Sequence, residues 1–424
     1  MEKRTGLAII AVALGLITSA ASRPLDPKVQ ARIDRILTTT PLIDGHNDLP
    51  EQLRENYNMS VEGLASGADQ RQPNPLMTDM ARLHQGRVGA QFWSVYIGAG
   101  IHGDEAIRKT IEQIDLVKRL VKAYPNDLAL AGTADDIIRI HKSRRVASLI
   151  GVEGGHQMGG SLAALRQYYD LGARYMTLTH FKTTEWADSA TDDPNNNGLA
   201  PFGLTVVHEM NRLGMLIDLA HVSPKVMTDV LAVSRAPLIF THSSARALDD
   251  HPRNVPDDVL KLMAQNGGVV MVNFYSGYVS DAFRKWNAEE AAEEAREKSL
   301  RTGRPDDQEA AIKAWKQAHP APGVTVADIA DHVDHVAKIA GYDHVGIGGD
   351  LDGIPYDEAP PGMNSVAGYP LLFAELIRRG WNDENLTKLA GGNLLRAMRG
   401  AEAVAASMKN EPPSMATPAP ERPK

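Results

Sequence analysis

The chain has 424 residues, 43% of them apolar and 23% charged, with a net charge of −8. That balance belongs to a soluble globular chain, and a negative charge without a dense basic run gives no sign of a nucleic-acid partner. The absence of cysteine excludes disulfides and thiolate metal ligands.

The first residues read as a secretory signal. Lys3 and Arg4 precede an apolar run over residues 6–17, and Thr18-Ser19-Ala20 supplies small residues for cleavage. The run is shorter than the ~20 residues a membrane span needs, so residues 1–22 are expected to be a cleaved signal peptide rather than a stable anchor. The expected destination is a periplasm or the medium. A single domain is expected over residues 23–405, with a disordered tail over 406–424 whose last part is rich in Pro and charge.

Eight apolar, β-branched runs flanked by Gly or Pro predict strands near 41–45, 90–97, 146–153, 174–179, 214–220, 237–241, 268–275 and 344–349. Helical periodicity fills most gaps, at 106–123, 161–171, 201–213, 223–233, 257–265 and 326–340. Strand and helix alternating in this way predict an α/β fold, a (β/α)8 TIM barrel. A doubly wound open sheet is the alternative, but it gathers its ligand at one switch point. Residues 51–85 read as a long first connection. Residues 280–324, strongly charged over 287–298, read as a helical insertion between strands seven and eight. A solvated hairpin is the plain reading, and a lid or an oligomer contact is the sharper one.

The predicted strands end in polar residues, which is how such a barrel builds its active site. His46 and Asp48 stand at alternate positions and point the same way from a strand end. Glu153 ends the third strand, where a buried carboxylate needs a partner. His221 and His242 end the fifth and sixth, and neutral imidazole is a common zinc ligand. His46, Asp48 and Glu153 on one ion, with Glu153, His221 and His242 on the other, leave both ions an open position for a shared water. Mixed N and O donors suit two zinc ions, with manganese or cobalt as alternatives. Asp350, among glycines at the end of the eighth strand, fits a general base and then acid. His332, His335 and His344 are assigned no metal.

These motifs together resemble the membrane (renal) dipeptidase family, a branch of the binuclear metal-dependent amidohydrolases. The resemblance is carried by Ile43-Asp-Gly-His46-Asn-Asp48, Gly151-Val-Glu153-Gly-Gly-His156, Tyr175-Met-Thr-Leu-Thr-His180, Trp186-Ala-Asp-Ser189, Met215-Leu-Ile-Asp-Leu-Ala-His221, Phe240-Thr-His242-Ser-Ser, Arg253-Asn-Val-Pro-Asp-Asp258, Val270-Met-Val-Asn-Phe-Tyr275 and Gly348-Gly-Asp350-Leu-Asp352-Gly. It implies a two-zinc barrel that hydrolyses dipeptides, with the same five metal ligands. It adds His180 to polarise the scissile carbonyl, Arg253 to hold the substrate carboxylate and Tyr278 to line the pocket. It also implies a homodimer. Arg253 keeps a second reading, an ion pair with Asp249 or Asp250. Another binuclear amidohydrolase, acting on a lactam, lactone or phosphoester, is the enzymatic alternative. A non-catalytic binding barrel is the other, and it predicts a lost ligand or a lost Asp350.

Overall fold

The computed structural model describes residues 25–72 and 74–418. The expected signal segment lies outside the described residues. Among the described residues nine strands occur in chain order: β1 (Leu42–Asn47), β2 (Val88–Val95), β3 (Leu128–Leu130), β4 (Val146–Glu153), β5 (Ala173–Thr177), β6 (Leu216–Asp218), β7 (Ile239–Phe240), β8 (Val269–Val272) and β9 (Val345–Ile347). Their spatial order is β2-β1-β9-β8-β7-β6-β5-β4-β3, and β2 also pairs with β4. That pairing closes a parallel barrel of eight strands, a (β/α)8 TIM barrel. β3 stands outside the ring. It pairs with β4 at Val146 to Ser148, just before the stretch from Ile150 to Glu153 that pairs with β5.

Strand parity separates the core into two layers. Ala90 and Phe92, Ala147 and Leu149, Tyr175, Leu216, Ile239, and Val269 with Met271 belong to an inner cluster. Trp93, Val95, Ile150, Val152, Met176, Ile217, Phe240, Val270 and Val272 belong to an outer cluster under the helices. Side chains alternate across a strand, so this is what buried parallel strands produce. Followed toward the carboxyl ends, the inner row turns polar: Ser94, Glu153, Thr177, Asp218, Thr241 and Asn273, all buried. Helices Ala134–Lys142 and Asn393–Ser407 add Ile137, Ile140, Leu394 and Met398 to the inner cluster and so close the opposite end.

The outer helices follow the apolar spacing that predicts them. Gly103–Ala123 buries Ala106, Thr110, Gln113, Ile114, Val117, Leu120 and Val121, one face of a 3.6-residue period. Val326–Ala340 begins at a capping box between Thr325 and Asp328.

Several boundaries differ from the expectations. The expected strands at 214–220, 237–241 and 344–349 shorten to Leu216–Asp218, Ile239–Phe240 and Val345–Ile347. His221, Asp350 and Asp352 have φ of 67°, 59° and 66°, a left-handed backbone that no ladder accepts. The long first connection contains a helix, Leu49–Asn56, that starts directly after Asp48. The insertion between β8 and β9 is a pair of helices, Asp281–Leu300 and Pro305–Ala318, and the second buries no side chain. The described part of the expected tail makes contacts with the barrel domain. Met408 is buried, Glu411 pairs with Arg235 at 3.0 Å, and Arg166 donates to the Ser414 carbonyl at 3.1 Å. No helix among the described residues is long and apolar enough to cross a membrane.

At the barrel mouth the backbone after β9 approaches the backbone after β7 closely. A Cβ on Gly348 would stand 1.7 Å from the Thr241 carbonyl oxygen, whereas a Cβ on Gly323 meets nothing within 4 Å. Backbone cannot yield as a side-chain tip does. Gly348→Ala is expected to destabilise the fold by roughly 2–3 kcal/mol or more in urea unfolding, with Gly323→Ala near neutral as the control.

Candidate metal centre and active site

Glu153 is the hub of the barrel mouth. Its Oε2 faces His46 Nε2 at 3.4 Å and accepts from Ser94 Oγ at 3.2 Å. Its Oε1 faces His221 Nε2 at 3.0 Å, His242 Nε2 at 3.4 Å and His180 Nε2 at 3.5 Å. Asp48 Oδ2 lies 3.2 Å from His46 Nε2, and Asp350 Oδ1 lies 4.0 Å from it. The structure therefore brings all five sequence-predicted metal ligands into one cluster, with His180 and Asp350 on its border.

Potential ligand atoms group as His46, Glu153 and His242; as Glu153, His180 and His221; and as His46, Asp48 and Asp350, each set within 4.8 Å. The donor set suits divalent cations. His221 Nε2 and His242 Nε2 point at each other at 3.0 Å. His46 Nε2 and Asp48 Oδ1 are buried without a hydrogen-bond partner. Buried polar atoms left this way lose free energy unless something pairs with them, and a cation shared by these atoms would do so.

Electrostatics point the same way. Burial keeps His221 and His242 well below the ordinary imidazole value, and it takes His180 down to about 3. All three are neutral imidazoles, the form that binds metal. Burial, opposed by His46 but reinforced by Asp48 and Glu153, pushes Asp350 up to about 8. Burial and the carboxylates of Asp48, Glu153, Glu55 and Asp350 push Glu51 up to about 9.

Supporting contacts orient the predicted ligands. Tyr175 Oη lies 2.9 Å from His46 Nδ1. Asp218 accepts from Thr177 Oγ1 at 2.6 Å and Thr241 Oγ1 at 2.7 Å, and Thr241 Oγ1 lies 2.8 Å from His242 Nδ1. Asn273 Nδ2 donates to Asp350 Oδ2 at 2.8 Å. Sequence reading assigned none of these residues a role. Their signal was parity: each belongs to the inner row of its strand or stands at the strand's end.

Above the cluster lies a cavity of about 390 Å³, lined by Asp48, Glu153, His180, Arg253, Tyr278 and Asp350 among others. Arg253 is 1% exposed. It donates to Ser243 Oγ and the His242 carbonyl, both at 3.2 Å, and its Nε has no partner. The alternative ion pair with Asp249 is not formed, since Asp249 pairs with Arg284 at 2.6 Å. Tyr278 lies beneath the guanidinium, 5.4 Å from ring centroid to Cζ. His332 bonds the Ala245 amide at 2.9 Å, His335 bonds Asp257 at 2.8 Å and His344 faces the Gly268 carbonyl at 2.8 Å, so all three have packing or pairing roles.

A parallel barrel with a buried carboxylate forked between histidines at its mouth defines a metal-dependent hydrolase. The chain belongs to the membrane dipeptidase family (peptidase family M19), which it matches over residues 30–412. It is 40% identical over 397 residues to an uncharacterized dipeptidase of Schizosaccharomyces pombe, covering 89% of this chain and 85% of that one. The fold is similar to that of the probable dipeptidase PvdM from Pseudomonas aeruginosa, with 24% identity, a TM-score of 0.75 and coverage of 89% and 99% of the two chains. It is also similar to a metallopeptidase from Rhodobacter sphaeroides liganded with a phosphinate mimic of L-Ala-D-Ala, with 22% identity, a TM-score of 0.69 and coverage of 86% and 99%. The protein is thus a metallodipeptidase-type hydrolase of a family that implies a binuclear metal site.

Tyr175 also explains a glycine. A Cβ on Gly151 would stand 2.0 Å from the Tyr175 ring. With His46 Nε2 turned to the cluster, Nδ1 is left to bond the tyrosine oxygen. Such outer partners typically carry roughly 10–100-fold in metal affinity, and Tyr175→Phe is expected to lose that much in competition with a chelator. An unchanged affinity would remove Tyr175 from the orienting role.

Proposed function

We propose that this protein hydrolyses dipeptides, those with a C-terminal D-residue included, using two zinc ions held by His46, Asp48, Glu153, His221 and His242. The observation that carries the substrate class is Arg253. It is a buried guanidinium facing the cavity with only neutral oxygens as partners. A buried charge without a counterion is costly, and a substrate carboxylate supplies the missing one in the fork geometry arginine favours. A lactone or lactam without a carboxylate leaves it unpaired. The inclusion of D-residues draws on the L-Ala-D-Ala mimic bound by the Rhodobacter sphaeroides protein.

When bound, the cations supply Lewis acidity that activates water and steadies negative charge on the scissile oxygen. The chain's own groups do the rest. Asn273 holds Asp350 Oδ2, which leaves Oδ1, on the His46 side, to take a proton from the attacking water and hand it to the leaving amine. His180, neutral in its buried setting, donates a hydrogen bond where the oxyanion develops. Arg253 and Tyr278 orient the C-terminal end. Export and a homodimeric state belong to the same reading. The first rests on the signal-like residues 1–22 and the second on the family resemblance.

The central test is a small dipeptide panel assayed before chelation, after it, and after zinc is restored. Cleavage that vanishes and returns is expected, with tripeptides and C-terminal amides left intact. Zinc-loaded protein that cleaves no dipeptide would sink the reading. Asp350→Asn is expected to lower kcat by roughly 10²–10⁴-fold with zinc content unchanged. Arg253→Met is expected to lower kcat/KM by roughly 10²-fold or more, chiefly through KM.

A further inference from the structure

Arg253 accounts for one end of a dipeptide, and the same cavity presents an acid that none of the steps above uses. Glu51 lines the cavity. It is the third residue of helix Leu49–Asn56, whose N-cap is Asp48. An acid at that position ordinarily reaches back to the N-cap amide in a capping box. Here the Asp48 amide is donated to the Leu351 carbonyl at 2.9 Å, and the Glu51 amide goes to the Asp48 carbonyl at 2.9 Å. The Glu51 carboxylate is left without that task. Among the described residues it has no hydrogen bond or ion pair, and its main charged neighbours are the acids Asp48, Glu153, Glu55 and Asp350.

Placement gives the acid a use. Glu51 follows β1 and Arg253 follows β7, and in the ring β9 and β8 stand between those strands. The two side chains therefore enter the cavity from well-separated sides, an unpaired carboxylate and a buried guanidinium with a free Nε. A dipeptide zwitterion carries the complementary charges at its two ends. We propose that Glu51 receives the α-ammonium of the substrate, so that the pocket measures a dipeptide from both termini. This rests on the dipeptidase reading. An ammonium beside the acid, like the site's cations, favours its charged form. The helix from Asp48 ties the amine anchor to a proposed metal ligand one turn away, which sets the free amine at a constant distance from the scissile carbonyl.

The test compares the zinc-loaded wild type with Glu51→Gln and Glu51→Asp on a dipeptide and on its deamino analogue. Inhibition by phosphinate dipeptide mimics with and without the amino group is measured in parallel. The wild type is expected to favour the free amine by roughly 10- to 100-fold in kcat/KM, chiefly through KM, as loss of a charge-assisted contact implies. Glu51→Gln should lose that preference for substrate and inhibitor alike, and Glu51→Asp should keep part of it, with zinc content and Tm as in the wild type. A Glu51→Gln enzyme that keeps the wild-type preference overturns this proposal alone. Equal loss on both substrates together with lost zinc also overturns it and assigns Glu51 to the metal site. A wild type that cleaves neither substrate overturns the dipeptidase reading and this proposal with it.

Discussion

Glu153 is a carboxylate buried at the mouth of a closed barrel, and its surroundings are arranged around that charge. It reaches the mouth because β4 is long enough to carry the inner row from Ala147 through Leu149 and Gly151 to Glu153. Isolated there, it would neutralise itself or unfold its neighbourhood. Four imidazoles and a serine hydroxyl converge on its two oxygens instead. Burial raises its pKa, yet the nearby His46 and His180 and the hydrogen bonds of His221 and His242 outweigh that, and it ends well below the ordinary glutamate value. The carboxylate is forked: one oxygen faces His46 and the other faces the histidines after β5, β6 and β7.

The barrel interior is a packed core whose volume is passed from strand to strand. Gly151 on β4 makes room for the Tyr175 ring of β5, and that ring reaches His46 at the end of β1. Asp218 on β6 gathers Thr177, Ala220 and both groups of Thr241, and the same threonine meets His242. The predicted ligands are thus held by contacts between neighbouring strands. Some backbone strain is stored at the same place: His221, Asp350 and Asp352 all hold a left-handed backbone, which costs energy that a well-packed surrounding has to offset.

The cavity wall is knit from four segments. Tyr275, after β8, donates to Glu358 at 2.8 Å and accepts from Asn287 of the inserted helix at 2.8 Å. Arg284 of that helix holds Asp249 at 2.6 Å, in the loop that carries Arg253. The insertion is therefore solvated along most of its length but rooted in the substrate wall.

Much of this architecture was legible from residue order alone. Apolar runs bounded by Gly or Pro placed the eight barrel strands, and the polar residues beyond them placed His46, Asp48, Glu153, His180, His221, His242 and Asp350, because in a parallel barrel every strand delivers its carboxyl end to the same face. β3 was not legible, since three residues are too few for a period, and its pairing depends on the free edge of β4 before β5 joins. The fate of Arg253 was not legible either. Asp249 and Asp250 lie close in sequence, but tertiary packing gives Asp249 to Arg284 and leaves the guanidinium in the cavity without an acid. The same holds for Glu51, which looked like part of a long connection until the helix after Asp48 turned it toward the pocket. Sequence determined the eight barrel strands, the polar residues gathered at their ends and the family. Tertiary structure decided which charges are paired and which stand unpaired at the cavity, because pairing depends on distances between segments that are far apart in the chain.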